Sequence, residues 1–329
     1  MDAKSFEHKK VLITGGLGFI GSNLAIRLVQ LGAEVTVVDS LIPTYGGNLW
    51  NVEPVRDKVR INISDVRDPY SMKYLVAGMD YLFNLAGQTS HMDSMENPET
   101  DLAINTLSQL QILEACRHHN PDVRVVFAST RQVYGKPQSI PVSETHPVVP
   151  VDFNGVHKLA AEQYHRLFFD VYGVRSVILR LTNTYGPRMR VVDARQTFLG
   201  IWIRRLLEGK PILIYGDGKQ LRDYNYVDDA VEAMLLAAIS NNCCGEVLNL
   251  GSKELFSLTE TAQVFLDLFP GGKVEYIPFP EDRKRIDIGD YQGDFSLITA
   301  RLGWEPKTTF HEGMRRTISY YQQNQQKYW

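Results

Sequence analysis

The stretch VLITGGLGFIGSNL, residues 11–24, restricts the fold more than any other part of the chain. An apolar run ends at Thr14, glycines follow at Gly15, Gly18 and Gly21, and helix-forming residues come next. Glycines at this spacing between a strand and a helix allow a tight turn, close approach of the backbone to a pyrophosphate, and close helix–strand packing. The helix start adds free N–H groups and a partial positive charge. Gly15, Gly18, Phe19, Ile20 and Gly21 are therefore read as one wall of a dinucleotide site. The next apolar run, EVTVVD, closes on Asp39, eighteen positions beyond Gly21. Its carboxylate can accept from ribose hydroxyls and would repel a 2′-phosphate, which selects NAD over NADP.

The rest of the first half carries the matching pattern. KVLIT, EVTVVD, VRINI, YLFNLA and VRVVFAS read as strands, VRSVILR as a sixth, and FIGSNLAIRLVQLG and DLAINTLSQLQILEACRHH as helices between them. Such alternation predicts an α/β fold, a doubly wound parallel sheet with helices on both faces. After about Tyr185, Gly, Pro and Asp interrupt more often, and short elements such as VLNLGS appear. These residues read as a smaller lobe over the carboxyl ends of the strands. The expected division is 1–180 for the dinucleotide-binding domain and 181–329 for the lobe, with some segments interleaved.

Bulk properties exclude several classes. A net charge of −3 gives no reason to expect nucleic acid or an anionic membrane as partner. No apolar run approaches the length of a membrane span, and the start MDAKSFEHKK has no apolar signal core. Three cysteines, two of them the adjacent Cys243 and Cys244, are neither a disulfide framework nor a metal site. A cytoplasmic protein without a metal is expected, with Cys116 as a small core residue.

Further candidates follow the strands. Asp65 and Val66 come after the third, where Asp65 can reach an adenine edge. Leu85, Ala86, Gly87 and Gln88 end the fourth, small enough for the backbone to lie against a cofactor. In VDFNGVHKLAAEQ, a helix after Pro150 places Asn154 and Lys158 four residues apart on one face. A lysine beside a cofactor commonly lowers the pKa of a neighbouring proton carrier, but the amide of Asn154 does not titrate.

TGGLGFIGSNL, NLAGQ, ASTRQVYG, HKLAAEQ, LRLTNTYGP and YGDGKQLRDYNYVDD occur in the order seen in extended short-chain dehydrogenases/reductases. Within these the chain resembles the nucleotide-sugar epimerases and dehydratases over nearly its whole length. The resemblance implies a Rossmann domain with tightly held NAD and a C-terminal lobe that binds a nucleoside-diphosphate sugar, oxidised transiently to a keto form. It implies that Asn183 and Arg222 contact the sugar nucleotide, Arg222 at the diphosphate, with Arg285 or its neighbour Arg283 as a second arginine. It also implies a homodimer built on a four-helix bundle, although burial within one subunit would explain the same apolar helix faces.

One departure matters. The family carries Tyr-x-x-x-Lys, where tyrosine is the acid/base and lysine holds the nicotinamide ribose. Here the match is Asn154-Gly-Val-His-Lys158, and the helper Ser or Thr after the fifth strand survives as Thr130. Three readings stay open: another group carries the proton, the substrate or a water does, or the protein binds its ligands without redox chemistry, as a scaffold or sensor. Candidates for the first are His91, His157, Tyr134 and Tyr185. His157 points about 100° away from Lys158 around the helix, and the two tyrosines suit packing or substrate contact. His91 follows the fourth strand, and an imidazole titrates near neutrality. His146, in SETHP, reads as a solvated loop residue. Dehydratases of the family resemble TDEVYG after the fifth strand, and decarboxylases keep a Glu there; Arg131 and Gln132 supply no ordinary general acid. Epimerisation is therefore favoured over dehydration or decarboxylation. AGQ and STRQVYG are similar to the CDP-tyvelose 2-epimerase subgroup, which leaves the reacting carbon open.

Overall fold

Residues 3–329 are described by the structure, a computed structural model. The chain begins with six parallel strands: β1 (Lys10–Thr14), β2 (Glu34–Asp39), β3 (Val59–Ile63), β4 (Tyr81–Asn84), β5 (Arg124–Thr130) and β6 (Ser176–Leu181). It leaves through β7 (Asn183–Tyr185), β8 (Ile212–Tyr215) and β9 (Leu221–Tyr226), then returns as β10 (Val247–Asn249), which pairs with β6. The finished sheet has the order β10-β6-β5-β4-β1-β2-β3. Its central strands are buried on both faces, which is why they read as unbroken apolar runs rather than alternating ones.

Strand order reverses between β1 and β4, and a parallel sheet opens a crevice at the carboxyl ends there. The glycine turn after β1 and the Leu85–Gly87 segment after β4 form its two lips. Helices α1 (Phe19–Gln30), α2 (Pro69–Val76), α3 (His91–Glu96), α4 (Pro98–Leu102), α5 (Ser108–His119) and α6 (Phe153–Tyr172) flank the sheet. The stretch read as one helix over DLAINTLSQLQILEACRHH is instead α4 and α5 joined by a π-helical turn at Ala103–Leu107. Asp152 caps α6 by accepting from the N–H of Gly155 at 2.7 Å, and Gly173, at φ 72°, ends it.

The lobe contains α7 (Phe198–Leu207), α9 (Leu258–Leu268), α10 (Glu281–Arg285), α11 (Ser296–Leu302) and α12 (Phe310–Asn324); α8 (Val227–Ile239) precedes α9 in the chain. Strand β11 (Leu255–Ser257) joins β9 and β7, while β12 (Val274–Ile277) runs parallel to β8. VLNLGS corrects the sequence reading. It belongs not to the lobe but to the main sheet, as its seventh strand, and α8 is the crossover that brings it there, packed on α1, β5 and β6. A three-residue edge strand lacks the length that identifies a strand by pattern.

Candidate active site

Gly15 has φ +66°, and a Cβ there would lie 3.0 Å from the backbone of Ala86. A Cβ on Gly21 would lie 2.3 Å from the carbonyl oxygen of Gly15. Only glycine lets these three segments close up. Gly18 is the N-cap of α1 and offers no side chain, so the helix start faces the crevice uncapped. Asp39 accepts from the N–H groups of Leu17 and Leu41, one on each oxygen, at 3.1 and 2.9 Å. Burial raises its pKa. Each oxygen keeps a lone pair for a ribose hydroxyl. The cavity between these walls is about 250 Å³ and is lined by every residue expected to hold the cofactor: Gly15, Gly18, Phe19, Ile20, Gly21, Asp39, Asp65, Val66, Leu85, Ala86, Gly87 and Lys158. Asp65 is paired with Arg67 at 2.6 Å, which holds its carboxyl below the usual range. Tyr45, in the loop after β2, also lines this cavity, and burial raises its phenol pKa. No motif marked it in the sequence.

At the inner end lie Gln88, Thr130, Asn154 and His91. The Thr130 hydroxyl accepts from the N–H of Gln132 at 3.2 Å. Lys158 Nζ donates to the carbonyl of Ala128 at 3.0 Å and lies over Gly87, where a Cβ would come within 3.2 Å of it. Burial pulls its pKa down to about 8, partly opposed by Asp101 and Glu162. Both amide hydrogens of Asn154 are committed: Nδ2 donates to the Gln88 carbonyl at 2.9 Å and to Asp101 Oδ2 at 3.2 Å. The π-helical turn aims Asn105 at the same carbonyl, also at 2.9 Å, in keeping with the frequency of such turns at functional sites.

The other proton-carrier candidates separate clearly. His157 Nδ1 sits 2.6 Å from Asp101 Oδ1 and lines neither part of the cleft. Tyr134 and Tyr185 are buried, with their hydroxyls on Asn249 and the Phe310 carbonyl. They pack the interior. His146 is held rather than merely solvated, bonded to the Gln138 N–H at 3.0 Å and the Pro147 carbonyl at 2.7 Å. His91, the first residue of α3, lies with Nδ1 2.9 Å from Asp152 Oδ2, close enough for an ion pair although outside hydrogen-bond alignment. Asp152 is buried, yet the His91 ring, the Gly155 N–H and the Gln132 amide (2.7 Å) outweigh that burial and hold its carboxyl below the usual range.

A second cavity of about 700 Å³ continues outward between the sheet domain and the lobe. It shares five residues with the first: His91, Arg131, Asn183, Gln196 and Thr197. Asn183 accepts from Arg131 at 2.9 Å and donates to the Asp223 carbonyl at 3.0 Å. Arg222 lines the outer cavity, and burial lowers its pKa to about 10, with repulsion from Arg131 adding to the fall. Arg285 requires a correction. It is exposed and off the cleft, whereas Arg283, two residues earlier and roughly 200° around α10, lines the outer cavity. Among the described residues no group of three His, Cys, Asp or Glu side chains is placed to hold a metal ion. No helix there is long and apolar enough to cross a membrane.

Over residues 11–251 the chain matches the NAD dependent epimerase/dehydratase family. It belongs to that family. This epimerase/dehydratase-family chain is 31% identical to a putative UDP-glucose 4-epimerase of Methanocaldococcus jannaschii over 95% of its own length and 99% of the relative's. It is 32% identical to UDP-glucuronic acid decarboxylase 1 of Xenopus tropicalis, covering 96% of this chain and 72% of that one. Its fold superposes with a TM-score of 0.86 on the Bacillus cereus UDP-glucuronic acid 4-epimerase solved with UDP-glucuronic acid and NAD, at 26% identity, covering 95% of this chain and 99% of that one. NAD is the cofactor, and the cradle fits it: backbone too close for any Cβ, an uncapped helix start, and a half-buried carboxylate for the ribose.

Proposed function

We propose that this family member epimerises a nucleoside-diphosphate sugar through a transient keto form, with His91 carrying the proton that tyrosine carries elsewhere in the family. The observation behind this is the membership of the seam. Of the five residues common to both cavities, His91 alone carries an imidazole, the side chain most often used as a general acid/base. Bound NAD supplies the hydride acceptor and donor for oxidising and re-reducing the sugar carbon. The side chains supply the rest. The imidazole takes the proton of the reacting hydroxyl and later returns it. Asp152, kept ionised, stabilises the imidazolium in between, as a carboxylate behind a histidine does in other acid/base pairs. Lys158 holds the nicotinamide ribose, Thr130 and Gln88 contact the sugar, and Arg222 with Asn183 and Arg283 receives the diphosphate end.

Incubation with NAD and a panel of UDP-, GDP-, CDP- and dTDP-sugars, read by NMR and mass spectrometry, tests the proposal. Wild type should convert one of them to its epimer, and His91→Asn should slow this by roughly 10²–10⁴-fold, the usual worth of a general acid/base. Tyr45→Phe, which removes the phenol in the cofactor cavity, should leave most of the rate. An unaffected His91→Asn would sink the assignment. The committed amide of Asn154 favours a second reading, a protein that binds both ligands without turning them over; tight binding of a sugar nucleotide with no product from any sugar would establish it.

We also propose that the chain forms a homodimer through α5 and α6. Leu107, in the π-helical turn that leads into α5, and Val156, Leu167 and Val171 on the adjacent α6 stand about half exposed, an apolar face that a second copy would cover.

A further inference from the structure

We infer that the sugar carries a carboxylate and that the guanidinium of Arg131 binds it. This rests on the nucleotide-sugar reading above and narrows its substrate class. Arg131 follows Thr130 at the end of β5, so it stands where the sugar ring must lie, between the cofactor cavity and the outer one. Its Nη2 donates to Asn183 at 2.9 Å, and its plane is held above the Tyr291 ring at 5.4 Å. Its Nη1 is buried and has no partner. Among the described residues no carboxylate comes within ion-pair distance of it. The buried acid in its neighbourhood, Asp223, is already engaged with the Thr182 hydroxyl and the Gly293 N–H.

Its neighbours in the cleft are served differently. Arg195 pairs with Asp93 and Asp193, both at 2.8 Å, and Arg222 donates to the carbonyls of Leu221 and Gly289 and pairs with Asp287 at 3.7 Å. Arg131 is a fixed cation with an idle donor, and it repels Arg222 across the cleft. A buried donor without a partner has lost its water and gained nothing in return. Of the guanidiniums lining the outer cavity, Arg131 is the one with a buried, unpartnered nitrogen among the described residues, and it stands apart from Arg222 and Arg283 on the outer wall, so a ligand with two separate anionic groups answers the cleft best. The diphosphate answers Arg222 on the outer wall. A carboxylate on the sugar answers Arg131, whose planar fork matches it. A neutral sugar offers only hydroxyls there and leaves the charge uncompensated.

The test is calorimetric titration of the NAD-loaded protein with matched pairs: UDP-glucuronate and UDP-glucose, UDP-galacturonate and UDP-galactose, GDP-mannuronate and GDP-mannose, together with UDP and GDP alone. At least one acidic sugar should bind roughly tenfold or more tightly than its neutral partner. Arg131→Gln should erase that preference while leaving the affinity for the bare nucleotide within about twofold. Arg131→Lys, which keeps the charge but loses the fork, should retain part of it. Retained NAD and an unchanged melting curve would show that both variants are folded. Equal affinity within every pair would overturn the inference and leave the nucleotide-sugar reading standing. So would a uniform loss for sugars and bare nucleotide alike, which would assign Arg131 to the diphosphate. Failure of every probe, with CDP and dTDP titrated beside UDP and GDP, would overturn the inference together with the reading beneath it.

Discussion

Lys158 is held at the expense of stability, and the expense can be measured. The ammonium is buried beside Phe127 with one carbonyl partner, Ala128. Burial lowers its pKa from 10.5 to about 8, despite the attraction of Asp101 and Glu162. A folded-state pKa below the unfolded value means that the unfolded chain binds the extra proton between these two pH values. Stability therefore rises with pH from about 8 to 10.5, and below 8 the penalty is complete. At 1.36 kcal/mol per unit, the shift is worth about 3 kcal/mol at pH 7. Lys158→Met keeps the stem, removes the charge and gives up one hydrogen bond worth about 1 kcal/mol. The cofactor-free variant should therefore be about 2 kcal/mol more stable than wild type at pH 7, and the gap should vanish near pH 10.

Urea denaturation of both proteins, stripped of NAD, at pH 7, 8, 9 and 10 gives the comparison. A variant less stable than wild type at pH 7, or a difference independent of pH, would refute the argument and show that Asp101 and Glu162 fully compensate the charge. The same substitution should weaken NAD retention roughly tenfold, since the ribose loses its charged donor. Stability gained and binding lost together would mark Lys158 as a residue kept for function.

Gly21→Ala would drive a methyl group to 2.3 Å from the Gly15 carbonyl oxygen; it should abolish NAD retention, seen as loss of the nucleotide absorbance that co-purifies with the protein. The His165 ring is buried and stacked on Phe127, its two nitrogens without a hydrogen-bond partner among the described residues, and burial drops its pKa to about 3. Its contribution is full above about pH 6.5 and lost as pH falls toward 3, so wild type should lose about 2 kcal/mol between pH 7 and 5 that His165→Phe does not lose, as urea midpoints would report. Leu167→Glu combined with Val171→Glu places two carboxylates on the exposed face of α6; sedimentation should shift from dimer to monomer with NAD retained, and an unchanged species would remove this face as the interface.

Much of the cofactor half was legible because it is local. The glycine turn, Asp39 and the Leu85–Gly87 lip each sit at a strand end that its own apolar run announces. Lys158 was legible by its helix and its spacing to Asn154. What escaped depends on contacts between distant segments. Asp101 meets His157 and Asn154 across 56 and 53 positions, and Asp152 meets His91 only because α3 packs on α6. The capping role of Asp152 could have been found, since an aspartate just before a helical run is a common N-cap; its second oxygen, turned to His91, could not. Arg283 and Arg285 differ by helix phase, which a five-residue helix does not betray in sequence. VLNLGS was misplaced because β10 and its crossover return to the sheet after residues that belong elsewhere.

Two buried carboxylates then explain why position 154 tolerates an amide. A tyrosine there would bring its own titrating hydroxyl on α6. With asparagine, both amide hydrogens are absorbed by the Gln88 carbonyl and Asp101, and the position becomes a brace between the fourth strand's end and the helix. Asp101 is engaged by that brace and by His157, so it has little left to offer a reacting group. Asp152 differs. Besides its capping bond it turns one oxygen toward the Gln132 amide and the His91 ring at the seam of the cleft. A histidine backed by an ionised carboxylate can take up and return a proton; a braced asparagine cannot. If the proposed chemistry holds, proton transfer has moved from α6 to α3, while Lys158 keeps its place over Gly87 for the cofactor. The lysine's charge and the proton carrier would then sit on different helices. Burial then sets the lysine, while Asp152 positions the imidazole.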